Sequence, residues 1–271
     1  MDFGEKVCVV TGASSGIGRR TALDLSAEGT KVCVAARRAD RLTALVDEMG
    51  DEARGHSYHV TDVSKKADVR ALAAHVKKVH GRCDILVNNA GFSGEPAFDG
   101  PESVRALEAI MRTNFLGAVY CTAELLPMLF ESTPAHIVNV ASMAGRLGLG
   151  GASAYSASKF ALVGWSEALH FELAPRGVFV SIVEPGFIPT EGFPQKPFVR
   201  HPVFRYALGS EADVSAAIRQ AMARRKLERV VPRWYYLLQV PRVMTPRLYR
   251  AVLHRMSGAG LARRGTKKQS R

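Results

Sequence analysis

Apolar positions fall into two kinds of block along the first two-thirds of the chain. Short unbroken apolar runs occur at "KVCVVTG" (6–12), "KVCVAA" (31–36), within "GHSYHVTDV" (55–63), at "CDILVNNAG" (83–91), "AHIVNVAS" (135–142) and "VFVSIVEPG" (178–186). Runs of this length without polar alternation predict strands covered on both faces. Between them apolar residues recur at helical spacing. In 16–28, Ile17, Ala22, Leu23 and Leu25 stand among Arg19, Arg20, Asp24 and Glu28, and Gly29 closes the segment. Similar patterns predict helices over 39–50, 65–81, most of 101–131 with Asn114 in its middle, and 154–174. Strand and helix alternate to residue 186, the pattern of a parallel sheet with helices on both faces in a single domain. After Gly186 the rhythm breaks into a proline- and aromatic-rich stretch, a helical segment over 210–226 and a candidate last strand in "ERVVPRW" (228–234).

Charge sharpens this division. The 271 residues carry a formal net charge of +12, yet residues 219–271 hold 15 Lys/Arg against one acid, Glu228, so the body is near neutral. A basic C-terminal fifth points to an acidic partner. Cys8, Cys33, Cys83 and Cys121 lie far apart in or beside apolar segments, which predicts small buried hydrophobes in a reducing compartment, with no metal site. No apolar run is long enough to predict a membrane span, and the acidic start "MDFGEKVCVV" is unlike a signal peptide. The expected location is cytoplasmic.

Candidate chemistry begins at "TGASSGIGRR" (11–20). Gly12 would let the chain turn off the first strand, Gly16 would let backbone amides approach a pyrophosphate, and Gly18 would let the helix pack close to the sheet. The helix N-terminus favours an anion, with Ser14 and Ser15 as added hydroxyls and Ile17 beside them. This is a strand–turn–helix phosphate site on a Rossmann-type, doubly wound three-layer α/β/α fold. In such folds an acid at the end of the second strand holds the ribose 2′-hydroxyl of NAD, whereas arginine suits the 2′-phosphate of NADP. Here the strand ends "AARR": Ala36 stands where an acid would be, and Arg37 and Arg38 follow. NADP(H) is therefore expected in preference to NAD(H). In "YSASK", Tyr155 and Lys159 stand at i and i+4 and share a helix face. A neighbouring ammonium favours the phenolate form of a tyrosine.

TGASSGIG (11–18), NNAG (88–91), Asn114, Ser142 and YSASK (155–159), in this order and on these elements, resemble the short-chain dehydrogenase/reductase family in its single-domain branch. Pro185, Gly186 and Thr190 extend the match. The resemblance implies a catalytic group of Asn114, Ser142, Tyr155 and Lys159. Tyr155 would be the general acid/base and Lys159 would hold the nicotinamide ribose and assist it. Ser142 would bind the substrate oxygen, and Asn114 would anchor a water behind Lys159. It further implies adenine contacts from Asp62 and Val63, cofactor contacts from Asn89, Ala90 and Gly91, and a nicotinamide flank of Pro185, Gly186, Ile188 and Thr190. It also implies a homodimer or homotetramer and oxidoreduction of CH–OH groups.

Residues 187–212 lie where this family has its substrate lid. Phe187, Ile188, Phe193, Phe198, Val199, Val203, Phe204 and Tyr206 make that stretch apolar, which suits a lipophilic alcohol or ketone. The catalytic domain is expected over 1–234. Residues 235–271 form a basic, aromatic extension with a disordered end. Aromatic and aliphatic anchors interleaved with arginines fit an anionic membrane surface, the protein's own body, or an acidic carrier protein. No groove-reading motif supports nucleic acid. Two other readings are an NADP-binding regulatory or scaffold protein on the same fold and a 3-oxoacyl-carrier-protein-type reductase. The C-terminal sequence departs from the latter.

Overall fold

The computed structural model describes residues 3–50, 52–93, 98–191 and 208–251. The apolar runs become β1 (Val7–Thr11), β2 (Lys31–Ala36), β3 (Ser57–Val60), β4 (Ile85–Asn88), β5 (Ala135–Val140), β6 (Val178–Pro185) and β7 (Glu228–Val231). Among the described residues they form one sheet in the order β3-β2-β1-β4-β5-β6-β7, with every pairing parallel. The chain steps outward from β1 to β3, returns to β4, and steps outward the other way. The order therefore reverses between β1 and β4, and the crevice outside their C-terminal ends is the ligand position in such sheets.

The expected helices are α1 (Gly16–Ala27), α2 (Ala39–Met49), α3 (Lys66–His80), α4 (Glu102–Met111), α5 (Gly117–Glu131), α6 (Ser153–Leu173) and α7 (Glu211–Ala223). Because side chains alternate across a strand, Cys8 and Val10 enter one core layer with Leu25, Leu42 and Ile218. Val9 enters the opposite layer with Leu72, Leu125 and Leu129. All four cysteines are buried and free. Burial holds the Cys33 thiol up at about 11, so it stays protonated and acts as a small hydrophobe.

The stretch expected as one helix over 101–131 is interrupted. Arg112–Leu116 form a π-helical turn between α4 and α5, and such bulges re-aim the side chains they carry. This one turns Asn114 inward, where it is 1 % exposed.

Past β6, Phe187 pairs with Leu208 in an isolated parallel bridge. The lid positions Phe193, Phe198, Val199, Val203, Phe204 and Tyr206 lie outside the described residues, as does the tail from 252. The C-terminal extension begins with a 3-10 helix, Arg233–Leu238, which crosses the expected boundary at 234, and continues into α8 (Val240–Met244). Tyr235 is buried with Met143 and Val230. Its ring lies over Gly186 so closely that a Cβ there would overlap it. No described helix is long and apolar enough to cross a membrane.

Candidate active site

Two adjoining cavities open at the reversal point of the sheet. One, of about 140 Å³, is lined by the glycine turn, the end of β5, Ser142, Tyr155, Lys159 and the segment after β6. The second, of about 290 Å³, runs to Arg37, Arg38, Asp62 and Val63. Gly12, Ser15 and Gly91 border both, so the pair forms one trough crossing β1.

The turn follows from local sequence. Gly12 and Gly16 take φ of +67° and +60°, a region closed to most side chains. At Gly12 a Cβ would also stand 2.7 Å from the Ala90 Cα. Helix α1 starts at Gly16 with no side-chain cap from Ser15 and no acid in its first turn. Its first amides and the positive end of its dipole are thus left for an anion. Gly18 does not line the trough. A Cβ there would meet the Gly12 carbonyl at 2.5 Å, so this glycine sets the approach of helix to turn. Asn89 locks the same turn by donating from Nδ2 to the carbonyls of Thr11 and Gly12.

At the far end, Arg38 lies across the turn. Its Nη2 donates to Ser14 Oγ and Ser15 Oγ, both at 2.9 Å, so these serines act as acceptors. Its Nη1 donates to Glu191 Oε1 at 2.9 Å, and Arg41 pairs with the other oxygen of the same carboxylate. The two guanidiniums hold the Glu191 carboxyl below its usual range. Arg41 and Glu191 were not among the sequence candidates. Arg41 lies one helical turn past Arg38, a spacing that could have flagged it; nothing local flags Glu191. Burial works against the charged form of Asp62, but hydrogen bonds from Ser64 and the nearby Arg37 and Lys65 outweigh it and keep its carboxyl low.

Ser142, Tyr155 and Lys159 all line the smaller cavity. Ser142 caps a short 3-10 turn, accepting from the Ala144 amide at 3.1 Å. Its own proton meets the Pro185 carbonyl at 3.4 Å, at the long limit for a hydroxyl, and is free to turn to a better acceptor. Lys159 is 5 % exposed, and burial lowers its ammonium to about 8. Nζ donates to the Val140 carbonyl at 2.9 Å and sits 5.8 Å from the Tyr155 ring centroid. Asn114 stands behind this group and does not line the cavity. Its Oδ1 accepts from the Phe92 amide, and its Nδ2 donates to the Phe92 carbonyl and Ser158 Oγ. On the other flank Pro185, Gly186, Ile188 and Thr190 close the cavity. The uncapped helix end, the glycine turn and the two arginines fit the phosphates of a dinucleotide, and the Lys159 ammonium fits a ribose hydroxyl pair.

A profile of the short chain dehydrogenase family matches residues 6–197. Dehydrogenase/reductase SDR family member 7B of Danio rerio is 34 % identical over 193 residues, covering 69 % of this chain; the chain spans 62 % of that protein's length. The 11-beta-hydroxysteroid dehydrogenase 1A of Arabidopsis thaliana is 32 % identical over 276 residues, covering 95 % of this chain and 77 % of that protein. A crystal structure of a short chain dehydrogenase/reductase from Burkholderia phymatum in complex with NAD superposes with a TM-score of 0.80. It is 26 % identical and covers 92 % of this chain and 96 % of that one. The chain belongs to the short chain dehydrogenase family, whose members are NAD(P)-dependent oxidoreductases.

Proposed function

We propose that this chain is an NADP(H)-dependent oxidoreductase that interconverts a lipophilic alcohol with its ketone or aldehyde. The observation that carries the reading is the meeting of Ser142, Tyr155 and Lys159 on one cavity that continues into the glycine turn. A bound nicotinamide would supply or accept the hydride at the carbonyl carbon. As that transfer proceeds, charge develops on the carbonyl oxygen, and Ser142 and Tyr155 are the donors beside it. Tyr155 passes its proton to that oxygen in reduction and takes one back in oxidation. Lys159 keeps a positive charge near the phenol and orients a ribose. Asn114 fixes the Phe92 and Ser158 groups behind Lys159. The test is Tyr155→Phe: NADPH binding, read by cofactor fluorescence, is retained, while turnover falls below detection. Unchanged turnover would remove Tyr155 from the chemistry.

NADP(H) over NAD(H) is supported by the absence of an acid at Ala36 and by Arg37 and Arg38 on the wider cavity. A lipophilic substrate is supported by the apolar composition of 187–206 and by the relative aligned over 95 % of the chain, a hydroxysteroid dehydrogenase. A substrate panel with both cofactors tests both points; turnover confined to sugars or charged metabolites would overturn the second. The active form is a homo-oligomer, dimer or tetramer, in line with the family.

A peripheral membrane role is favoured by one observation. Past Tyr235 the extension turns Leu237, Val243, Met244 and Leu248 outward at 62–76 % exposure, beside Arg242, Arg247 and Arg250. Exposed aliphatics interleaved with cations match an anionic lipid surface. Because Tyr235 belongs to the body, the deletion that tests this removes 240–271 and spares it. Equal flotation of both forms with anionic vesicles would overturn the reading.

A further inference from the structure

Beneath the cavity floor lies a buried ionic group that the chemistry above does not use. Glu184, the β6 residue just before Pro185, is fully buried. Arg146, four residues past Ser142, donates from Nε to Glu184 Oε1 at 2.7 Å, and its Nη2 forms an ion pair with Glu228 Oε2, on β7, at 3.2 Å. The remaining oxygens, Glu184 Oε2 and Glu228 Oε1, are both buried without a hydrogen-bond partner. One guanidinium thus faces two carboxyl groups, each with an unsatisfied buried oxygen. Two carboxylates there would leave a net buried negative charge, and a single proton removes it.

We propose that Glu184 is a positioning residue: its contact with Arg146, which also reaches Glu228, fastens the C-terminal extension and the Ser142 loop to the floor of the active site. The connections run both ways from this group. Arg146 closes the 3-10 turn that Ser142 caps. Glu184 leads into Pro185, whose carbonyl meets the Ser142 hydroxyl. Tyr236 of the extension lies close enough to Glu228 to feel its charge, next to the Tyr235 ring that covers Gly186. The charged groups facing the pair are Arg146 from the loop, Glu228 from β7, Tyr236 from the extension and, toward Arg146, Glu167 of α6. Burial, with Glu228 adding to it against the pull of Arg146, raises the Glu184 carboxyl to about 8. Loss of the proton above that pH sets two charges against one and loosens the extension from the floor.

Trp234 reports on this directly, because it packs edge-on against Tyr235 at 4.3 Å between ring centroids. The only other tryptophan is Trp165. In a Trp165→Phe background, without cofactor, Trp234 fluorescence is expected to change in one step centred near pH 8. Glu184→Gln, which keeps the shape and fixes the neutral form, abolishes the step. Glu228→Gln removes the repelling carboxyl and moves the step down by about one pH unit or more. No step in the parent, or a step surviving in Glu184→Gln, overturns the proposal. Lys159 titrates in the same range and is intact in that variant, so a surviving step would belong elsewhere. These readouts need no turnover and stand apart from the oxidoreductase reading. A second arm rests on that reading: Glu184→Gln is expected to make the alkaline fall of log kcat less steep, with the KM for NADPH unchanged. An identical pH profile would overturn the link to Ser142.

Discussion

Two glycines, Gly18 behind the glycine turn and Gly186 on the trough itself, are each forbidden by a neighbour to be anything else, but the neighbours differ in kind. At Gly18 the obstacles are the Gly12 carbonyl of the same turn and the Asn89 amide that locks that turn. At Gly186 it is the ring of Tyr235, from an extension that the chain reaches only after α7 and β7. The proposed nucleotide end is therefore built mainly from one contiguous stretch, locked by Asn89 from the end of β4. The proposed nicotinamide end is assembled from parts distant in the chain, and it can be disturbed from far away.

The largest expected effect separates the two ends at once. Gly18→Ala drives a methyl into backbone that cannot move without opening the turn. Overpacking of this kind costs about 3 kcal/mol, which for a domain of this size lowers the unfolding midpoint by roughly 6–12 °C. NADPH binding goes with it. Gly186→Ala meets a side chain that can swing out. Tyr235 is expelled, NADPH affinity changes little, and kcat falls by about 10- to 100-fold because the floor under the reacting groups shifts. Truncating the ring as well separates the causes: Gly186→Ala with Tyr235→Ala should cost less than the sum of the two single changes. Simple additivity in stability and kcat would mean that the two residues do not press on one another.

The same contrast explains what the sequence made legible. The strands, the helices and the glycine turn follow from runs, periodicity and punctuation read within a few residues. So does the pairing of Tyr155 with Lys159, because i and i+4 on a helix is a local relation. Asn114 and Ser142 came from the family resemblance, and their surroundings had no local signal. The π-helical turn that aims Asn114 inward interrupts a pattern that reads as continuous helix. Glu184 reads as one polar residue ending an apolar strand, and only its meeting with Arg146 and Glu228 gives it meaning. Tyr235 reads as the first residue of a basic, aromatic extension, yet it is buried against Gly186, which lines the site. Farther along the extension, Val243 and Met244 are exposed to solvent.

A smaller effect is expected where the nucleotide end does depend on a distant residue. Glu191 occupies Arg38 and Arg41 from the segment after β6. A 2′-phosphate would compete with it for the same guanidiniums. Replacing Arg37 and Arg38 by serine should weaken NADPH by about 10- to 100-fold, the range for charge-assisted hydrogen bonds, and leave NADH nearly unchanged. Glu191→Gln should do the reverse and tighten NADPH severalfold without altering NADH. Titration of both cofactors by fluorescence checks this. A parallel change for NADPH and NADH would place the arginines away from the 2′ position.

The smallest effect concerns acid, and here two histidines and the buried Glu184 carry opposite signs. His136, near the start of β5, is 2 % exposed, with its ring against Phe179. Burial, assisted by the charge of Arg225 and by His170, depresses its imidazole to about 3. His80, at the end of α3, is lowered to about 4 by burial and by His75, His56 and Lys31. In the unfolded chain both titrate near ~6.5. Between that value and the folded ones the unfolded chain binds more protons, so stability is lost as pH falls from about 6.5 toward 4. Glu184 runs the other way: its carboxyl is raised, the folded chain holds the extra proton, and stability declines as pH rises toward 8. The unfolding midpoint should therefore fall from pH 7 to pH 5. His136→Phe, which keeps a ring against Phe179 and removes the ionisable nitrogen, should make that fall shallower while leaving the alkaline side untouched. An equal acid fall in the variant would assign the sensitivity to His80 and its neighbours at the opposite edge of the sheet.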